Sequence, residues 1–323
     1  MKKLLRKFTQ SSSLFAIITF VVFFVVNIIV LPNILKPDNL ISTIALLAPL
    51  IIVAMAATPS ILSGGGGIDV TMGPLIGFTN VALFTIVLSW KITNPALTIG
   101  TLLLLGTAIG TVSGLLVTVV RLQPIVATLG VSLILQGVNP YLMPAPHGTL
   151  DPWPWMRNLS TYVGPIPGPI IMIGAAFLLW FIITKLPYHK ALLAVGGDDR
   201  AAFSSGINVT LVRTLAYTIG GFFAALAGIA FTAFVGSGDA TIGGEYTMLS
   251  IAAAALGGTS LAGGRGGMFG SVFGALAIFF IQKLLMSLHV SNYIFTIIYG
   301  SILILALASN SLIRMSAGKR LGE

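Results

Sequence analysis

The chain has no cysteine, which excludes a disulfide framework and any thiolate metal site. Its three histidines are scattered without HExxH or comparable spacing, so neither a metal centre nor a zinc or redox enzyme is expected. Only eight residues are acidic, and charged residues make up 8% of the chain, against about 25% in an ordinary soluble domain. That is too little charge for a solvated surface, and the acids are too dispersed for the clustered groups of an enzyme site. No Gly-Lys-Ser or Gly-Lys-Thr occurs, so the chain has no Walker phosphate loop and should not hydrolyse ATP by itself. What the 323 residues do contain is 56% hydrophobic side chains, 37 glycines and a mean hydropathy of +1.02. Long apolar runs argue against disorder, and the expected solvent is the lipid bilayer.

A net charge of +9 raises the question of nucleic acid, but a nucleic-acid binder gathers Lys and Arg on one polar face. Here they punctuate apolar stretches, which excludes nucleic acid as a partner and suits a membrane protein. At about 20 apolar residues per span the chain divides into about ten segments: 13–31, 41–62, 70–90, 96–120, 124–143, 169–184, 214–235, 247–262, 268–288 and 292–310. The eighth is short and bracketed by glycines, so it is either re-entrant or buried within the bundle, and eight or nine full spans also fit. The expected fold is thus an all-α, polytopic helical bundle with glycine-rich breaks, a single transmembrane domain over 1–323 with short tails at 1–12 and 311–323. The opening MKKLLRKF resembles a signal peptide, yet its apolar run continues to Val30 with no small-residue cleavage site, which makes it a retained first helix. With Lys2, Lys3, Arg6 and Lys7 inside, alternate loops divide the 17 basic residues into 13 inner and four outer ones, the latter Lys36, Lys91, Arg157 and Lys283. Both termini are therefore expected in the cytoplasm.

Two loops are long. The outer segment 144–168 is proline-rich and carries Trp153 and Trp155, which suits an irregular flap anchored at the membrane surface, either a lid or a plain connector. The inner loop 185–213 has room for one helix of about two turns, with Asp198 as N-cap, Asp199 at the positive end of the dipole and Gly206 as the stop. Arg200 and Phe203 lie between them. Such a helix fits either a knob that enters another protein's groove or a solvated loop.

Two glycine-rich runs follow apolar segments, one containing Gly66, Gly67 and Asp69, the other Gly257, Gly258, Gly263 and Gly264. Each precedes a GxxxG, Gly73 to Gly77 and Gly270 to Gly274, and Gly106, Gly110 and Gly114 form a further small-residue face suited to helix packing. Glycine breaks at matching places in two halves point to the working core of a transporter, although both runs fall on the inner side with the same direction. For Asp69, capping the helix that begins at Val70 is weighed above gating.

Together, SGGGGIDVTMG, RLQPIVATLGVSLILQGV, GGDDRAAFSSGINV and LGGTSLAGGRGG resemble, in order and spacing, the permease subunits of ribose-type bacterial ABC sugar importers. The resemblance runs from about residue 40 to residue 310. It implies a non-enzymatic subunit of the cytoplasmic (inner) membrane that pairs with a second permease copy or paralogue. It further implies a cytoplasmic ABC ATPase that drives transport, a periplasmic or lipid-anchored substrate-binding protein that delivers the solute, and docking of the ATPase on 198–206. The chain departs from the family at Gly196-Gly-Asp-Asp-Arg-Ala201, where GGNEAA is common, and at Met248-Leu-Ser-Ile251, where relatives have Leu-Asp-Ala-Ile, so Leu249 replaces an aspartate. Thr128, Ser132 and Gln136 recur at i, i+4, i+8, with Asn139 three further on, giving one polar stripe on an apolar helix. It is either the path of a neutral polyhydroxyl solute or a seam of interhelical hydrogen bonds. The competing reading, an independent ion-coupled transporter or channel, calls for a mid-membrane carboxylate or coordinated ion, and the sequence offers none.

Overall fold

The computed structural model describes residues 13–291 together with 294, 295, 297, 298, 300 and 301. Both expected tails lie outside the described residues, as does most of the segment 292–310. The described chain is helical almost throughout. It runs α1 (Leu14–Val30), α2 (Pro37–Leu62), α3 (Met72–Ala82), α4 (Pro95–Thr118), α5 (Pro124–Leu142) and a short α6 (Pro154–Asn158). After a two-stranded hairpin, β1 (Tyr162–Val163) and β2 (Ile166–Pro167), come α7 (Gly168–Lys185), α8 (Pro187–Gly197), α9 (Asp199–Ser204), α10 (Val209–Val235), α11 (Gly244–Leu256) and α12 (Met268–Ser287).

Local signals explain the boundaries. Proline opens α2, α4, α5 and α8, where its missing N–H costs nothing and its fixed φ is already helical. Asn94 caps α4 by accepting from Ala96 and Leu97, Asn208 caps α10 by accepting from Leu211, and Gly236, at φ 77°, ends α10 in the left-handed region. Among the described residues six helices are long and apolar enough to cross a membrane: α2, α4, α5, α7, α10 and α12. α4, α5 and α7 expose Leu104, Leu133, Ile134, Leu178 and Phe181, an outward apolar face that suits lipid.

The shorter apolar helices differ from the segments drawn on the sequence. α3 begins at Met72 rather than Val70 and passes into a π turn, Leu83–Val87, and every residue of α3 is buried. The segment 247–262 is helical only to Leu256; residues 257–267 leave the helix as the second glycine loop. α2 is buried from Leu47 to Leu62 and forms the centre around which α10, α11 and α12 pack. The small-residue faces work as expected. Gly106 and Gly110 sit against Gly221 and Ala225 of α10 so closely that no Cβ would fit, and the Thr111–Thr218 and Thr118–Thr214 hydroxyl pairs, at 2.9 and 2.8 Å, flank the crossing.

Loops sort cleanly to two ends of the bundle. At one end the residues of 63–69, 185–213 and 257–267 meet; at the other, the flap after α5 joins the α3–α4 turn, and Lys283 donates to Thr43 at 2.6 Å. The flap is less irregular than expected and its anchor is the protein itself. Trp153 is fully buried, donates from Nε1 to the Ile92 carbonyl at 2.8 Å and meets the Phe84 ring edge-on, while Arg157 pairs with Asp151.

Candidate functional site

α9 is a six-residue helix built as its sequence suggests. Asp198 Oδ1 accepts from the N–H groups of Arg200 and Ala201, each at 3.0 Å, and Gly206, at φ 83°, leaves the helix in the left-handed region. Ala202 is buried with Leu62, Leu192, Val195, Val212 and Ala216, fastening α9 to α8 and the start of α10. On its other face Phe203 is 73% exposed, a large aromatic that no described residue covers. Arg200 is also exposed.

A second fastening was not legible in the sequence. Arg213, from the first turns of α10, donates Nη2 to Asp199 Oδ2 at 3.0 Å and Nε to the Ser63 carbonyl at 3.3 Å. The guanidinium therefore bridges α9 and the first glycine loop. Below it three backbones converge. Gly264 N–H donates to the Leu62 carbonyl at 3.0 Å, and a Cβ on Gly64 would lie 2.8 Å from the Gly196 carbonyl oxygen. Gly263 and Gly264 approach Gly64, Gly196 and Gly197 as closely, and both have φ in the left-handed region. The two glycine runs and the short-helix loop, remote in sequence, thus form one junction.

The remaining loop residues spread outward from it. Gly66 stands in open space, Gly67 packs on the Ser60 carbonyl, and Gly258 turns away from α11 after Gly257, which abuts Gly270. Asp69 is buried; its Oδ1 accepts from the Thr71 N–H and hydroxyl at 2.9 and 2.5 Å, shaping the turn into α3, while Oδ2 has no partner among the described residues. Burial pushes this carboxyl up to about 6, against the lowering effect of both Thr71 bonds.

The polar stripe of α5 continues from this loop. Thr128 Oγ1 accepts from Val70 N–H at 3.2 Å and donates to Pro124, and Asn139 Nδ2 donates to the Pro74 carbonyl at 3.2 Å. Thr128, Ser132 and Asn139 are buried, whereas Gln136 is exposed and donates Nε2 to Ser132 Oγ at 3.1 Å. A cavity of about 630 Å³ lies elsewhere, at the flap end, lined by Phe231, Glu245, Tyr246, Gln282 and Lys283 among apolar neighbours. The sequence placed Glu245 and Lys283 near span ends but gave no sign that they face one space.

Comparison with known proteins adds a family. The family described as branched-chain amino acid transport system / permease component matches residues 39–307. The chain is 34% identical over 282 residues to the ribose import permease protein RbsC of Escherichia coli (strain K12), covering 85% of this chain and 86% of that one. It is 31% identical to the protein of that name from Bacillus subtilis (strain 168), covering 85% of each. With the D-allose transport system permease protein AlsC of Escherichia coli (strain K12) it shares 32% identity over 76% of each chain. No solved structure matches. A match across most of the chain, carried by helices that can cross a membrane and by relatives that are permeases rather than enzymes, places this chain in the permease-component family of membrane transport systems.

Proposed function

We propose that the chain is the permease subunit of an ABC importer for a sugar or similar small neutral polar solute, driven by ATP hydrolysis in a partner. The observation that carries the reading is α9: an aromatic left uncovered on a short helix that Asp198 caps and Arg213 ties to the bundle. A helix meant only to close a loop has no use for such rigidity. The substrate class rests on relatives named for ribose, D-allose and galactose/methyl galactoside. In this reading Phe203 enters a groove of a cytoplasmic ATPase, with Asp199 and Arg200 at the rim, and a periplasmic or lipid-anchored binding protein delivers the solute to the flap end. The α9 end is then cytoplasmic, both termini with it, in a bacterial inner membrane crossed about ten times.

The solute passes along the α5 stripe, where Gln136 and Ser132 offer hydrogen bonds without the tight hold of a charge. Because Gln136 is exposed, this path needs a second permease, a copy or a paralogue, to close its open side. Single-Cys labelling is free of background, as the chain has no cysteine. Ser204→Cys, one position from Phe203 on an exposed face, is expected to cross-link to an ATPase subunit, and Phe203→Asp is expected to abolish ATPase association by burying a charge. Transport that persists in Phe203→Asp, with no cross-link at Ser204→Cys, would overturn the docking.

A further inference from the structure

Beside the glycine junction lies a second cavity, about 330 Å³, whose chemistry differs from that of the transport path. Its walls are the end of α4, the α4–α5 linker, the first glycine loop and the start of α10. Two guanidinium groups face it, Arg121 and Arg213. Asp199 already engages Arg213, while Arg121 has no ion-pair partner among the described residues. Tyr217 also lines the cavity; it is 1% exposed and its hydroxyl has no hydrogen-bond partner among the described residues. A buried hydroxyl without a partner costs free energy unless something fills the space in front of it. Gly64 and Gly65 supply backbone from a run of left-handed glycines, and Gly65 N–H makes no hydrogen bond within the described residues. Arg121 itself is a non-glycine residue at φ 63°, in the left-handed region that side chains seldom adopt.

An excess cation, an idle buried hydroxyl and an idle backbone donor in one cavity call for an anion with several acceptor oxygens. Phosphate meets that description, and arginine pairs bind it in a fork geometry. The setting identifies its source. Val119, Val120, Leu122, Ile125 and Val126 are exposed apolar residues on the ends of α4 and α5, and Leu122 also lines the cavity. The rim is therefore continuous with a lipid-facing surface, where acyl chains can lie while the head group turns inward. Basic pockets between membrane helices are suited to such head groups.

We propose that this cavity binds the phosphate of an anionic phospholipid, with Arg121 as the principal charge, Arg213 and the Tyr217 hydroxyl as further donors, and the exposed ends of α4 and α5 as the bed for its chains. The site adjoins the inner end of the α5 stripe, since Pro124 lines it and accepts from Thr128, but it does not depend on which solute is carried. Because it adjoins the Arg213 bridge to Ser63 and Asp199, an occupied site would also steady that bridge.

The full chain, reconstituted in nanodiscs of phosphatidylcholine with a graded share of phosphatidylglycerol, tests this by native mass spectrometry of the lipids it retains. The wild type is expected to retain phosphatidylglycerol in preference to phosphatidylcholine, and Arg121→Gln to lose about fivefold of that preference, the share of one basic residue near an anionic surface. Arg121→Lys should keep most of it. Arg121 is exposed, so neither variant is expected to disturb folding, and an unchanged thermal midpoint checks this. A parallel arm adds inorganic phosphate. Phosphate binding that Arg121→Gln removes, with no preference among lipids, would make this a free-anion site and overturn the lipid assignment. Equal phosphatidylglycerol retention in Arg121→Gln and wild type would overturn the site altogether.

Discussion

Gly196 offers a test of the junction with its control one residue away. An added Cβ at Gly196 would lie 2.6 Å from the Gly264 nitrogen and closer still to the Leu62 carbonyl oxygen, whereas ordinary contact begins near 3.4 Å. Both atoms are backbone and belong to the Gly264–Leu62 hydrogen bond, so neither can swing aside as a flexible side chain would. The three segments must part. Overpacking of this kind costs about 1–3 kcal/mol, and the threatened hydrogen bond contributes about 1 kcal/mol more. Gly197 lies in the same helix, and its added Cβ would meet nothing within 4 Å. Gly197→Ala should therefore be neutral or stabilising by up to about 1 kcal/mol, through a less flexible unfolded chain. Thermal unfolding of the two purified variants in one detergent separates packing from helix propensity, since both replace Gly by Ala at the same helix end. Gly196→Ala is expected to unfold several degrees below wild type and Gly197→Ala at or above it. Equal midpoints for the two variants would refute the junction.

Three further outcomes follow from separate features. Asp198→Ala removes a cap at a cost of about 1 kcal/mol, felt locally, so the amides of 200–205 should exchange faster while Asp198→Asn stays near wild type; unchanged exchange in Asp198→Ala would reject the cap. Trp153→Phe removes the Nε1 bond and leaves the Ile92 carbonyl only the longer bond from Thr98 Oγ1 at 3.3 Å, with an expected loss of about 1 kcal/mol read as a lower thermal midpoint, and an unmoved midpoint would count against that anchor. Gln136→Leu combined with Ser132→Ala should leave membrane insertion near normal and strongly reduce uptake, whereas undiminished uptake would reduce the stripe to a seam between α5 and α3.

How much of this could be read from the sequence depended on the range over which each residue acts. α9 was legible because its cap, dipole residue and stop lie within nine positions and report on one another. The Gly106, Gly110, Gly114 face was legible because it repeats at helical spacing. The junction was not, since Gly64, Gly196 and Gly263 come from three distant loops and each glycine alone signals only a break. Hydropathy likewise extended the eighth segment to residue 262, across Leu261 and Ala262, whereas the helix stops at the glycine pair: Gly258 is left-handed at φ 81° and Thr259 N–H turns back to the Ala254 carbonyl at 2.9 Å. Trp153 pointed to a membrane-surface anchor because its partner carbonyl, at Ile92, is 61 residues away. Arg213 entered only as one of the inner charges, and nothing in its neighbourhood named Asp199 or Ser63 as its partners.

The placement of the glycines bears on how a push at α9 would travel. α11 is gripped at both ends by GxxxG faces: Gly73 and Gly77 lie against residues 242–244 before and at its start, and Gly270 and Gly274 lie against Ala253 and Gly257 at its end. Thr247 Oγ1 adds a bond from Gly73 N–H at 3.1 Å. In contacts between backbones there are no long side chains to change rotamer, so a displacement at one end is not absorbed locally. The second glycine loop, which leads out of α11, is the same one that meets Gly196 beside α9. An ATPase seated on Phe203 would therefore act on a train of rigid contacts from α9 through Gly196 and Gly263 to the end of α11. The head of α11 lies at the flap end, where Glu245 and Tyr246 line the 630 Å³ cavity. A short helix held this way can shift between two packings more readily than it can bend, which is the property alternating access demands of the element linking the two ends.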